Sequence, residues 1–256
     1  MSSSAPSIAP DVSALVTEDD APVDNLYSEK QQRLLTSTLY ASWAGPPPEE
    51  DGRARTFLAA ANVGVFLSVH EPPLVPDVFV SADVVAHPDI WQKEHRSYFI
   101  WEFGKAPEVV IEVVSNREGG ELGKRKLGYR RMGVAHYVVW DPAQMLGGAT
   151  LQAFELAGSV YRVSRAAHIE PLGLRLRVWH GVFEGLEADW LRWCDAGGEL
   201  LPSADERAER EAERAEREAE RAEREAANAT RERTLREAAE REVAALRAEL
   251  ERLRGQ

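Results

Sequence analysis

The residues of this 256-residue chain best placed for chemistry are carboxylates on β-branched runs. Residues 108–114 read EVVIEVV. A period of two puts Glu108, Val110, Glu112 and Val114 on one face, and Val109, Ile111 and Val113 on the other. Apolar residues on both sides of Glu112 imply a strand buried on both faces. An ionised carboxylate there is costly unless a cation or hydrogen bonds compensate. A strand-end Glu112 simply paired with an arginine is the plainer alternative. Asp77, in Val75-Pro76-Asp77-Val78, begins another strand, where a lone aspartate commonly serves a turn. Two carboxylates with one nearby ammonium or guanidinium suit metal-assisted phosphodiester hydrolysis. The acids hold Mg²⁺, and the cation orients the nucleophile or stabilises the developing charge.

The cation comes from a helix predicted over 121–132 and ended by Gly133. At about 100° per residue, Leu122, Tyr129 and Met132 define its inward face. Arg125 and Lys126 lie within about 60° of that face, whereas Lys124 points nearly opposite. A nuclease should show Arg125, Lys126, Arg130 and Arg131 facing one cleft with the acids, whereas a non-catalytic scaffold need not. Other chemistries fail. Residues 119–124 (GGELGK) have their glycines too close for a phosphate loop, and Arg125 stands where Ser or Thr should bind magnesium. The six histidines show no i,i+4 pair and no nearby cysteine, against a zinc site. Ser115 lies in no nucleophile-elbow sequence.

These residues need a scaffold. A helix from Tyr27 to Trp43, with Ser28 as N-cap, is stopped by Gly45-Pro46-Pro47-Pro48. Strand-like runs follow at 56–69, 76–85, 98–103, 108–114 and 135–140. Residues 150–156, 160–164 and 174–178 alternate like an antiparallel meander, and 186–194 (LEADWLRWC) read as a short closing helix. Strand, helix and strand in series give a mixed α/β core over about 26–200 with a partly parallel central sheet.

The flanks differ in composition. Residues 1–25 hold too little apolar content to pack and read as a disordered leader. Residues 204–256 carry 16 acids and 13 arginines, with no proline. Ala208, Ala212, Ala215, Ala219, Ala222, Ala226 and Ala229 recur at alternating spacings of 4 and 3. A second seam (Leu235, Ala239, Val243, Leu246, Leu250 and Leu253) follows a phase slip near Arg233. A coiled coil held by its leucine half, or a single helix laced by Glu–Arg pairs, both fit. The remaining 203 residues carry 27 acids against 18 basic residues, so any nucleic acid needs a local basic strip, a metal ion or a partner. One cysteine, Cys194, fits a reducing compartment. With no secretory signal and no membrane-length apolar run, a soluble cytoplasmic protein is expected.

Asp77 in PDV, Glu112 in IEVVSN, the run REGGELGKRKLGYRRMGVAHYVVWDP and the later WLRWCDAGGELLP together resemble one bacterial family. It is the Uma-two family of predicted restriction endonucleases, a branch of the PD-(D/E)XK nuclease superfamily. The resemblance covers about 26–203. It implies a restriction-endonuclease-like fold, a mixed sheet flanked by helices, followed here by the long C-terminal helix of 204–256. It implies Asp77 and Glu112 as acids around Mg²⁺ or Mn²⁺, with the backbone carbonyl of Val113 as a further ligand, and DNA as substrate. The superfamily's lysine two residues after the second acid is Val114 here. The family's migrated lysine, four residues before the helix tyrosine, is Arg125. Helical geometry then makes Lys126 the better substitute. Two readings stand: a DNA endonuclease dimerised through its C-terminal helix, and a catalytically impaired nuclease-like interaction protein assembled through that coiled coil.

Overall fold

In the computed structural model, which describes residues 10–13, 15–16, 25–116, 120–164 and 167–254, the chain divides into two compact units, 1–204 and 205–256. The first is built on a six-stranded mixed sheet. Strands β1 (Phe57–Ala61), β3 (Val78–Ala82), β5 (Val109–Val113), β6 (His136–Trp140), β7 (Leu151–Ala157) and β8 (Val160–Ser164) lie in that order. All pairs are antiparallel except β5 with β6, which are parallel. Parallel neighbours need a crossover, and helix α3 (Lys126–Met132) lies within it, ending at Gly133. The short parallel pair β2 (Val65–Phe66) and β4 (Tyr98–Phe99) forms a separate small sheet.

Strands β3, β5 and β6 are buried at every position, as expected for strands covered on both faces. On one face, Val109, Ile111 and Val113 join a core with Leu35 and Leu39 of helix α1 (Leu26–Ser42). Leu174, Leu191 and Trp193 complete that core from a three-stranded sheet of β9 (His168–Ile169), β10 (Leu174–Phe183) and β11 (Leu186–Cys194). On the other face, Val110 and Val114 pack with Tyr129 of α3 and Tyr137 of β6.

Several local expectations are corrected. Residues 186–194 form strand β11, not a helix. Glu184 (φ 46°) and Gly185 (φ 77°) both adopt left-handed backbone, making the two-residue turn that pairs Phe183 with Leu186. Strand β10 therefore leaves the expected meander for its own sheet. The cap of α1 is Asn25, whose Oδ1 accepts from the Ser28 N–H at 2.9 Å. Residues 98–103 are a strand only at β4, after which Ile100–Phe103 turns as helix α2. The expected leader falls largely outside the described residues. Where it is described, Val12 is buried against Phe66 and Phe99, and Lys93 Nζ donates to the Ser13 carbonyl at 2.6 Å.

The second unit is helix α4 (Ala204–Arg254), about 76 Å long at 1.5 Å per residue. Pairs such as Arg214–Glu218 at 3.0 Å and Arg236–Glu240 at 3.0 Å lace its surface at i,i+4. Leu235, Val243, Leu246 and Leu250 are exposed. Among the described residues no helix is long and apolar enough to cross a membrane.

Candidate active site

The β3–β5 register pairs Val78 with Ile111, and one step further sets Asp77 opposite Glu112. The two acids thus meet at the end of neighbouring strands. Asp77 stays partly exposed, whereas Glu112 is 2% exposed. Both oxygens of Asp77 accept hydrogen bonds: Oδ2 from the Val113 N–H at 2.7 Å, and Oδ1 from Gln32 Nε2 at 2.6 Å. Glu112 Oε1 accepts from the Tyr129 hydroxyl at 2.7 Å and from Arg125 Nε at 2.9 Å. Arg125 Nη2 also donates to the Val75 carbonyl, two residues before Asp77. Helix α3 can lie this close to residues 74–77 because Gly128 faces Leu74. A Cβ at Gly128 would stand 2.6 Å from Leu74 Cδ1.

The electrostatics follow from burial. Glu112 is pushed up to about 8, first by desolvation and then by the charge of Asp77, against the opposing pull of Arg125 and the Tyr129 hydrogen bond. Asp77 is also raised by desolvation, restrained chiefly by the Val113 N–H and then by Arg125, Gln32 and a hydrogen bond with Glu112. Burial thus favours the protonated form of Glu112, while the Val113 and Gln32 N–H donors favour the ionised form of Asp77, and the two carboxyls titrate as a coupled pair.

The cations are not arranged as expected. Residues 121–125 form a π-type turn, and Gly123 (φ −112°, ψ −105°) breaks the helical path. The 3.6-residue count through Leu122 therefore fails, and Leu122 is exposed. Arg125, four residues before Tyr129, is the helix cation that pairs with Glu112. Lys126 turns aside, its Nζ 3.2 Å from the centroid of the Phe154 ring, with its pKa lowered by desolvation. Lys126 is thus not the residue that meets the acids. Lys124 is exposed, as expected. Arg131 pairs with Glu71 at 2.7 Å, so the four cations do not converge on one cleft with the acids. Val114, at the superfamily's lysine position, is buried in the core, and its N–H donates to the Trp140 carbonyl at 2.8 Å.

The donor set fits a small hard dication. Asp77 and Glu112 offer carboxylate oxygens, and with both ionised the single guanidinium of Arg125 leaves one negative charge uncompensated. No cluster of three or more His, Cys, Asp or Glu occurs among the described residues. Two side-chain ligands suit Mg²⁺, which keeps several waters. Two polar neighbours were not legible in advance. Gln32 sits buried on α1, and Asn62 follows β1 with a left-handed φ of 54°. The available signal was a Gln31-Gln32 pair on an apolar helix face. Gln31 is structural, bonding the Leu191 backbone through both Nε2 (2.8 Å) and Oε1 (2.9 Å).

A mixed sheet with a parallel β5–β6 pair, flanked by helices and carrying an acid pair at adjoining strand ends, is an α/β fold of restriction-endonuclease-like type. The Uma2 family model, described as "Putative restriction endonuclease", matches residues 7–172, and the chain belongs to that family. The match ends before β10, so the WLRWCDAGGELLP segment lies outside it. No curated protein matches the chain. Restriction-endonuclease-like proteins generally use divalent metals.

Proposed function

We propose that this protein is a divalent-metal-dependent endonuclease acting on DNA, with a nuclease domain over 26–203 and a helical assembly segment over 204–256. Asp77, Glu112 and the Val113 carbonyl would hold Mg²⁺ or Mn²⁺. The observation that carries this reading is the in-register juxtaposition of Asp77 and buried Glu112 beside Arg125. A bound divalent ion supplies a water of lowered pKa and screens the phosphodiester. The chain's own groups do the rest. Tyr129 and Arg125 orient Glu112, and two N–H donors orient Asp77. Arg125 stabilises charge on the phosphoryl oxygens but, being permanently protonated, accepts no proton. The exposed leucines of α4 support a homodimer in which two sites address two strands, and the proposed compartment is the cytoplasm, supported by the single cysteine, Cys194.

A second reading, a catalytically impaired nuclease-like interaction protein, is favoured by two features. The cations of 125–131 do not converge on one cleft with the acids, Lys126 lying over Phe154 and Arg131 pairing with Glu71. Arg125 is engaged by both Glu112 and the Val75 carbonyl, and no lysine reaches the acids among the described residues. Calorimetric titration with Mn²⁺ tests the site under either reading. Asp77→Asn and Glu112→Gln are each expected to abolish binding while the fold persists; wild-type affinity in both variants would overturn the assignment.

A further inference from the structure

We propose that Gln32 and Asn62 are positioning residues that fix the carboxylate of Asp77 for metal binding. This rests on the reading of Asp77 and Glu112 as the metal-holding pair. The three side chains form an ordered chain. Asn62 Nδ2 donates to Gln32 Oε1 at 2.6 Å, and Gln32 Nε2 donates to Asp77 Oδ1 at 2.6 Å. An ionised carboxylate only accepts hydrogen bonds, so the amide of Gln32 must present its NH₂ to Asp77 and its carbonyl to Asn62. Gln32 is therefore a donor to a ligand and not itself a ligand.

Asn62 is bound to this role by its backbone as well. Its N–H points at the carbonyls of Pro76 (3.2 Å) and Asp77 (3.3 Å). It holds a left-handed backbone with φ 54°, a conformation that non-glycine residues adopt at a cost and that asparagine tolerates best. One residue thus fixes the main chain at Asp77 directly and the carboxylate through Gln32. Gln32 is 4% exposed on α1, between Gln31 and the core residues Leu34 and Leu35. A buried amide on an apolar helix face needs partners on both ends of its amide group, and here both are supplied from the acid site. Oδ2 of Asp77 is held separately by the Val113 N–H, so the carboxylate is fixed at both oxygens. With Glu112 ionised and no longer hydrogen-bonded to Asp77, each oxygen of Asp77 keeps a further lone pair for an ion.

Partners that orient a metal ligand typically change metal affinity about 10–100-fold when removed. The test is Mn²⁺ calorimetry on the full-length protein, with Gln32→Leu and Asn62→Gly beside wild type and Asp77→Asn, each also followed by metal-free thermal unfolding. Gln32→Leu is expected to weaken Mn²⁺ binding about 10-fold or more. Asn62→Gly keeps the backbone conformation and deletes only the amide that orients Gln32, so it should weaken binding in the same direction even where Gln32→Leu fails to fold. A purely structural role would lower the unfolding temperature and leave affinity unchanged. If wild type binds Mn²⁺ in a manner lost in Asp77→Asn, yet Asn62→Gly and any folded Gln32→Leu bind as wild type, the positioning role is overturned and the metal site stands. If Asp77→Asn binds as wild type, both fall together.

Discussion

The guanidinium of Arg125 and the carboxyl of Glu112 form the one ion pair in which a cation of the 121–132 segment meets an acid of the candidate site, Nε to Oε1 at 2.9 Å. Glu112 is almost fully buried and Arg125 only partly so. The pair therefore joins a core strand to a helix whose outer face is open to solvent. Arginine here stands four residues before Tyr129, where the family's resemblance places a lysine.

Arg125, rather than Lys126, is expected to be the cation that matters for phosphodiester cleavage. Arg125→Ala should lower Mg²⁺-dependent nicking of plasmid DNA by about 10²-fold, the usual scale for losing a preorganised charge-stabilising donor. Lys126→Ala and Lys124→Ala should change it little, since Lys126 lies over Phe154 and Lys124 faces outward. A larger loss in Lys126→Ala than in Arg125→Ala would reverse the assignment.

Glu112 should make the metal-free protein less stable as pH rises. Its folded value, about 8, lies above the ordinary 4.5. Below about pH 4.5 both folded and unfolded chains hold the proton, and the contribution is present in full. Between about 4.5 and 8 the unfolded chain releases a proton that the folded chain keeps, so stability falls by at most about 1.4 kcal/mol per pH unit. Urea unfolding in a chelator across that range should show the decline. Glu112→Gln should flatten it; an equal slope in the variant would place the titration elsewhere.

Tyr129→Phe removes the phenol that donates to buried Glu112 Oε1. Leaving a buried acceptor short of a donor should cost about 1–3 kcal/mol. Chemical denaturation measures this directly, and an unchanged midpoint would show that the hydroxyl contributes nothing to the fold.

The leucine half of α4 should carry any self-association. Burying Leu235, Leu246 and Leu250 against a second chain is worth roughly 1.5–3 kcal/mol each, against about 4–15 kcal/mol for association itself. A modest, concentration-dependent dimer is the expected balance. Light scattering on a version lacking residues 235–256 should show a shift toward monomer. A truncated protein as dimeric as the full chain would assign dimerisation to another surface.

What the sequence made legible was governed by strong periodicity. Strand β5 is a near-continuous β-branched run, and that run around Glu112 marks a doubly covered strand. Strand β11 was misread because Trp190, Leu191 and Trp193 mimic a helical face. The decisive signal was instead the Glu184-Gly185 turn, which forces a hairpin. Helical counting sets both Arg125 and Lys126 on the inward half of the segment, and only the packing separates them, Arg125 onto Glu112 and Lys126 over Phe154. Gln32 and Asn62 lie 45 and 15 positions before Asp77 in sequence, and the fold alone brings them to it.

The most direct measurement is incubation of the purified full-length protein with supercoiled plasmid DNA, with Mg²⁺ or Mn²⁺ and with chelator, beside Glu112→Gln. If Asp77 and Glu112 carry metal-dependent hydrolysis, nicked or linear DNA forms with the ion, and fails to form with chelator or with the variant. Cleavage that persists in Glu112→Gln, or intact plasmid from a wild type that binds Mn²⁺ at the acid pair, would contradict a nuclease working through these residues.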